Sequence, residues 1–543
     1  MPSTASHDPE VSLARRPQDL AGREFDLVVI GGGINGTGVA RDAARRGLKV
    51  ALLEKEDFGY GTTGRSTRLI HGGLRYLAML DFGLVRESLR EREMLLRNAP
   101  HLVEPLAFLV PLYKGISPGK TKLKAGLTLY DALSYDKRMP AHRFLSKDET
   151  LAEEPSLNPE GLDGALLYYD AQVPLVERLC LENALDAAAH GAVVVNHLLV
   201  LDFVREGTSI AGVRVKDRLS GREDVVRAKT VVNATGPWLN VLDVHVEDKR
   251  LRMTKGIHIV VPPVVRHAVV LFAEDGRLFF AIPWLGRTLV GTTDTDYAGD
   301  LDKVAATREE VDYLVESARR IIPGADVSGV QFTWAGVRSL LNVEGVKEGA
   351  VTRKHFVIDH AKEGVHGLFS IVGGKITPYR GVAEEVVDKV AKALKVRAAC
   401  DTGKAPLPGA LDPDGQAAWV AEAAAKRPGF PVASLEHLAR VYGRRAGAVL
   451  ALADQDPTLS STVCAHSPTL KAEAVFAARH EAAHTLADVI LRRTLLGHAP
   501  CEGRHVAPDV AALIAPVLGW DDARLSEEVA AFEAAVDLRH LHE

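Results

Sequence analysis

Residues 25–54 read FDLVVIGGGINGTGVARDAARRGLKVALLE, and the order of residue types along them decides the fold. Asp26, Leu27, Val28, Val29 and Ile30 form a short run rich in branched apolar side chains, as in a buried parallel strand. It passes directly into Gly31-Gly32-Gly33-Ile34-Asn35-Gly36, a G-x-G-x-x-G turn. Val39, Ala40, Ala43 and Ala44 then recur at helical spacing, with Arg41, Asp42, Arg45 and Arg46 on the other face. Gly47 closes the helix, and residues 49–53 make a second strand ending on Glu54. Glycines allow a tight turn and close approach of the backbone to a pyrophosphate. The helix N-terminus adds unpaired N–H groups and the positive end of its dipole. Glu54 lies at the spacing expected for a ribose hydroxyl pair. A glycine turn alone is common in loops. In this order of elements it specifies a dinucleotide site.

The chain has 543 residues, too many for one ordinary core, so two to four domains are expected. Hydrophobic content of 47% and charged content of 25% belong to a globular protein. A net charge of -5 gives no sign of a nucleic-acid partner. Cys180, Cys400, Cys464 and Cys501 form no C-x-x-C, so neither a disulfide framework nor a zinc site is expected. A reducing cytoplasm is the natural compartment. No apolar run approaches the ~20 residues needed to cross a bilayer. Residues 1–22 are polar and carry Pro2, Pro9 and Pro17; they read as a disordered lead rather than a signal peptide.

After Glu54 the chain turns rich in Gly, Ser and Thr up to His71-Gly72-Gly73. This is a loop whose backbone comes close to something, since Leu69, Ile70, Leu74 and Tyr76 do not suit a mobile linker. Residues 81–98 read as an amphipathic helix stopped by Pro100.

These motifs resemble the FAD-dependent sn-glycerol-3-phosphate dehydrogenases of aerobic type. The resemblance rests on GGGINGTG at 31–38, TTGRSTRLIHGGLRYL at 62–77 and EREMLLRNAPHLVEPL at 91–106. It continues through LYDAL at 129–133, RFLSKDE at 143–149, NATGPW, KGIHIVVP and AIPWLGRTLVGTTD. WAGVRSL, the VTR of 351–353 and FSIVGGKITPYR complete it, so that it spans roughly 25–396. It implies FAD as cofactor, oxidation of sn-glycerol 3-phosphate to dihydroxyacetone phosphate, and a membrane quinone as electron acceptor. Residues beyond it resemble the family's helical appendage more loosely.

Residues 111–130 carry Lys114, Lys120, Lys122 and Lys124 among apolar residues. They read as a solvated basic loop or, alternatively, as a patch on anionic lipid, where each lysine adds roughly 1 kcal/mol. A helix over 175–190 is followed by short strands, the last running into Asn233-Ala234-Thr235-Gly236-Pro237-Trp238. A strand ending in A-T-G is backbone packed against a neighbour. In flavoproteins that neighbour is the first glycine turn, which favours FAD over NAD. Residues 253–261, 268–272, 277–284 and 288–293 suggest an inserted antiparallel sheet. Residues 307–322 form a helix, and further strands at 331–337 and 355–358 follow. The strand at 369–372 leads to Gly373-Gly374-Lys375, and Thr377-Pro378 opens a long helix as N-cap and first residue. That places N–H donors at a reduced flavin.

The expected architecture is therefore α/β plus α+β: a two-dinucleotide-binding-domain flavoprotein of Rossmann-like, D-amino-acid-oxidase-like type. The cofactor part comprises 23–100, 161–245 and 350–400, and the substrate part 101–160 and 246–349. A linker at 401–416 leads to a C-terminal helical domain, 417–543, of five or six helices. That domain is a candidate for dimerisation, including a homodimer, for membrane docking or for stability. His480, Glu481 and His484 fall in one expected helix, 472–496, with both histidines on one face. No third ligand accompanies them, so no metal is expected; His480 and Glu481 should pack on Arg492 and Arg493 or a neighbouring domain.

Oxidation of a secondary alcohol by flavin requires a hydride acceptor at N5, an aligned C–H bond, removal of the hydroxyl proton and a grip on the rest of the substrate. Guanidiniums suit a phosphate. The resemblance carries this role to Arg338 and Arg353, and Arg65 in the flavin loop is a third candidate. His258 has a titration range suited to a proton acceptor, although a satisfied strand histidine is the alternative. Lys375 could stabilise an anionic flavin or alkoxide. Expected cofactor contacts are Gly31, Gly33, Ile34, Asn35, Gly36, Glu54 and Lys55 of the first unit. In the loop they are Thr62, Thr63, Arg65, Ser66, Thr67, His71, Gly72 and Gly73. Ala234, Thr235, Gly236, Trp238, Gly374, Lys375, Ile376 and Thr377 complete the set. The rivals are a glycerol-3-phosphate oxidase using dioxygen, an amine or amino-acid oxidase, and a non-catalytic flavin-binding protein. The chain is expected in the cytoplasm, with peripheral contact to the inner membrane left open.

Overall fold

The computed structural model describes residues 12–73, 81–115, 117, 119–242, 251–273, 275–323, 329–341 and 355–541. Arg353, residues 74–77 of the glycine-rich loop and residues 1–11 lie outside them.

Strand Glu24–Ile30 runs parallel between Val50–Leu53 and Glu223–Asn233. The sheet continues to Val193–Val195 on one side and to Leu368–Val372 and Phe356–Asp359 on the other. Leu27, Val28 and Val29 are fully buried, each contributing about 1.5–3 kcal/mol by leaving water. Helix Ile34–Arg45 packs beside Val176–Ala189 and Tyr379–Leu394 over this sheet. Gly31 has φ +105, and a Cβ there would stand 2.7 Å from the carbonyl oxygen of Ala234. A Cβ at Gly36 would collide with the carbonyl oxygen of Gly31. The A-T-G return thus packs on the first glycine turn, as the run 233–238 predicts.

The second sheet carries strands Glu104–Tyr113, Leu162–Gln172, Leu251–Val261, Ala268–Phe272, Leu278–Trp284, Arg287–Gly291 and Phe332–Leu341. It is mostly antiparallel, and helix Arg308–Ile321 packs on it through Val311, Leu314 and Ala318. Strand Leu162–Gln172, assigned by sequence to the cofactor part, pairs with Glu104–Tyr113 in this sheet.

Four local readings change. Residues 120–133 are a helix, Lys120–Leu133, rather than a loop, with Leu127 and Tyr130 buried and the lysines outside. The helix after Gly373 begins at Tyr379, because the Thr377 hydroxyl takes the His71 amide at 3.0 Å instead of capping. The expected helix 472–496 ends at His480; Ala482 has φ +51, so His480 and His484 do not share a face. The described part of the expected disordered lead is tied to the fold: Leu13 donates to the His480 carbonyl at 2.9 Å and Arg15 pairs with Asp217 at 2.7 Å.

The C-terminal domain holds the helices Pro413–Lys426, Val432–Tyr442, Ala446–Gln455, Lys471–His480, Ala507–Leu518 and Asp522–Asp537. Buried ion pairs fasten it to the cofactor fold. Glu481 meets Arg178 at 2.6 Å and Arg445 at 2.9 Å, and Asp57 meets Arg492 and Arg493 at 2.7 Å. Burial alone would raise the Glu481 carboxyl, but Arg178 and Arg445 outweigh it and bring it down to about 2. The expected linker is fastened too, Gly409 donating to Glu182 at 2.6 Å.

Candidate active site

A cavity of about 1140 Å3 is lined by both sheets and by the glycine turn. Gly31, Gly33, Ile34 and Asn35 reach it from the turn, and Glu54 and Lys55 from the end of the second strand. Glu54 is buried, accepting the Gly32 amide at 2.5 Å and the Glu56 amide at 2.8 Å; burial pushes its carboxyl up. Lys55 lies over the Trp238 ring at 4.2 Å and pairs with Asp302 at 2.6 Å.

The glycine-rich loop contributes Thr62, Thr63, Ser66, Thr67, His71 and Gly73 to the lining. Its threonines are anchored: Thr62 donates to the Val337 carbonyl at 2.6 Å, and Thr63 accepts the Ile34 amide at 3.2 Å. Ala234, Thr235, Gly236 and Trp238 line another part, as do Gly374, Lys375, Ile376 and Thr377 ahead of helix Tyr379–Leu394. Arg338 lines the cavity from the second sheet. Its guanidinium donates to the Thr292 hydroxyl at 2.9 Å and to Asp294 at 3.1 Å.

Four expected residues do not line the cavity. Gly36 is spent on the turn itself, and Gly72 faces Tyr130 and Leu89. Arg65 turns its guanidinium over the Tyr60 ring, 5.1 Å away. His258 is fully buried behind Thr67, with Nε2 2.9 Å from the threonine hydroxyl. Burial, reinforced by the charges of Arg338 and Arg68, holds His258 far below the usual histidine range, so the ring is neutral. Arg353 lies outside the described residues.

Sequence reasoning missed other lining residues. Arg68 lines the cavity yet holds Glu177 through two 2.7 Å bonds, which commits its charge to the scaffold. Thr292 and Asp294 hold Arg338, and the motif ending in GTTD was their signal; Arg277, outside that motif, reaches the Asp294 carbonyl at 3.3 Å. Lys122, Leu123, Gly126 and Leu129 line it from the helix read as a loop.

An acid-tipped second strand, a glycine turn and a second backbone return to that turn define a dinucleotide-binding oxidoreductase of flavin type. Residues 26–389 match the family model described as FAD dependent oxidoreductase, and residues 400–525 that of the C-terminal domain of alpha-glycerophosphate oxidase. The chain is 41% identical to a glycerol-3-phosphate dehydrogenase of Synechocystis sp., over 94% of this chain and 96% of the relative. It is 39% identical to glycerol-3-phosphate dehydrogenase 2 of Mycobacterium tuberculosis, over 95% of this chain and 89% of the relative. The solved glycerol-3-phosphate dehydrogenase of Bacillus halodurans, complexed with FAD, matches with a TM-score of 0.77 at 30% identity, over 96% of each chain. The chain belongs to the FAD dependent oxidoreductase family, and within it to the glycerol-3-phosphate dehydrogenases.

FAD is the cofactor, and the cavity fits it. A Cβ at Gly33 would meet nothing nearer than the Thr63 hydroxyl at 3.4 Å, so the turn presents bare backbone to the cavity. The buried Oδ1 of Asn35 has no hydrogen-bond partner among the described residues.

Proposed function

We propose that this chain oxidises sn-glycerol 3-phosphate to dihydroxyacetone phosphate. The observation that carries the reading is Arg338: a guanidinium on the cavity wall, oriented by Thr292 and Asp294, in a cavity that begins at the flavin-type turn. Its planar fork suits phosphate oxygens. Arg353 is assigned to the same grip, and Arg65, which stacks on Tyr60 away from the cavity, is not. When bound, FAD supplies a two-electron oxidant that takes the carbon-bound hydrogen as hydride. Thr67, held by Nε2 of His258 at 2.9 Å, is placed to hydrogen-bond and orient the substrate hydroxyl. Lys375 and the positive end of helix Tyr379–Leu394 hold the negative charge that develops nearby.

Electrons leave to a quinone. Phe82 and Leu129 are exposed, and with Leu123, Phe272 and Leu278 they give the cavity an apolar edge suited to an apolar acceptor. Exposed Lys120, Lys122 and Lys124 beside that edge favour peripheral contact with an anionic membrane on its cytoplasmic face. Among the described residues no helix is long and apolar enough to cross a membrane. The second reading, an oxidase passing electrons to dioxygen, is favoured by the match to the C-terminal domain of alpha-glycerophosphate oxidase.

Anaerobic titration with sn-glycerol 3-phosphate tests the substrate: bleaching of the flavin band is expected. Bleaching only by an amine or amino acid would replace the reading. Reoxidation of the bleached enzyme by a short-chain quinone but not by air separates dehydrogenase from oxidase.

A further inference from the structure

In the C-terminal domain, strands Thr462–Cys464 and Ser467–Leu470 form a small hairpin. His466 sits in its turn, and the segment 499–506 lies against it. Here Cys464, His466, Cys501 and His505 converge. One ligand atom from each, two sulfurs and two imidazole nitrogens, lies within 4.8 Å of all the others. We propose that these four side chains bind a zinc ion as a structural Cys2His2 site.

Zinc stands about 2.0–2.3 Å from such ligands, which makes the edges of the tetrahedron about 3.3–3.8 Å. Closing the present cluster around an ion therefore takes movements of about 1 Å at most, small for side chains on a turn and a loop. The local backbone is arranged for it. Cys464 pairs with Ser467 across the tight hairpin turn that carries His466. Cys501 and His505 flank a tight turn with Glu502 and Gly503 at positive φ, closed by the Arg504 amide on the Cys501 carbonyl at 2.9 Å, which brings both side chains into the cluster. Both cysteines are free thiols. Two soft sulfurs, two imidazoles and no carboxylate in the set favour zinc over magnesium or calcium, and four protein ligands leave no open position for catalysis.

The ion would act as a fastener. Glu502, between the second cysteine and Gly503, pairs with Arg539 at 3.0 Å and with His540 at 2.5 Å. The Arg539 carbonyl in turn accepts the Thr333 amide of the second sheet at 2.8 Å. Holding the segment 499–506 to the hairpin therefore steadies a contact between the helical domain and the cavity-bearing sheet. The sequence expectation of no zinc site rested on the absence of C-x-x-C; the pairs here are Cys–His.

The test is metal analysis of the FAD-loaded chain, made with zinc in the medium and purified under reductant without chelator. About one zinc per chain is expected, lost in Cys464→Ser and in Cys501→Ser while FAD content stays at the wild-type level. Misfolding of the variants is bypassed by titrating metal-stripped wild type with Co2+, which should give the intense visible bands of tetrahedral, thiolate-bound cobalt. A wild type that stays metal-free after incubation with zinc and shows no such bands overturns the site. So does zinc retained by both variants, or a Cys464–Cys501 disulfide, two hydrogens lighter, in chains taken from cells.

Discussion

The Nε2 of His258 lies 2.9 Å from the hydroxyl of Thr67, and only the threonine of the two lines the cavity. The other ring nitrogen, Nδ1, has no hydrogen-bond partner among the described residues. Thr67 therefore stands between the cavity and this imidazole, which fixes the direction of the threonine hydroxyl. Thr67→Val and His258→Ala should each lower the rate of flavin reduction by about 10^2–10^4 without removing FAD. Single-turnover reduction is the measurement, and wild-type rates in both variants would remove this pair from the reaction.

Arg338 is buried enough, and held by enough oxygens, for its loss to be felt mainly by the substrate. Arg338→Ala should cost at least about 2 kcal/mol in kcat/KM, roughly 30-fold, chiefly through KM. Steady-state kinetics with the phosphorylated substrate decide it; an unchanged KM takes Arg338 out of the site.

The glycines of the turn should fail differently. At Gly33 a Cβ faces the cavity with only Thr63 nearby, so Gly33→Val should fold yet purify colourless. At Gly36 a Cβ meets the Gly31 carbonyl, so Gly36→Val should lose soluble protein altogether. Flavin absorbance and circular dichroism distinguish the two. A yellow Gly33→Val would contradict the cofactor assignment.

Glu481 neutralises two buried guanidiniums. Glu481→Gln should destabilise the chain by about 3–5 kcal/mol, because Arg178 loses its paired carboxylate and Arg445 keeps only Glu182, at 3.2 Å. Replacing Arg178 as well, by Met, should recover part of the loss. Denaturant unfolding of the single and double variants checks this.

Stability should fall as the solution is acidified from about pH 6.5. Burial, aided by Arg178 and Arg445, brings His101 down to about 3, and burial brings His484 down to about 4. Between those values and the ordinary histidine range the unfolded chain binds protons that the folded chain refuses. Each site then removes up to about 1.4 kcal/mol per pH unit as pH falls. Thermal unfolding midpoints across pH 4–7 should show the slope, and His101→Asn should lessen it. A midpoint independent of pH over that interval would contradict it.

Much of this was readable from residue order. The run 25–54 specifies strand, turn, helix and strand because each piece is local, and A-T-G after a strand specifies contact with the turn. What escaped reading is tertiary. Leu123, Leu127 and Tyr130 have helical spacing, but the lysines and Gly119 and Gly126 around them resemble a loop. The helix 472–496 contains no glycine or proline break before Gly497. It ends at His480, where Glu481 turns inward to Arg178, and no local propensity encodes that. His258 belongs to a motif of the second sheet, yet its place behind Thr67 depends on how the loop is laid down. The convergence of Cys464, His466, Cys501 and His505 joins segments more than thirty residues apart.

Asp57 follows the cofactor strand by four residues, is fully buried, and, among the described residues, pairs with Arg492 and Arg493. On a ribosome the nucleotide fold emerges first, with this carboxylate still needing water. Until residues 492 and 493 have left the exit tunnel, the start of the glycine-rich loop lacks the cations that meet Asp57 in the folded chain.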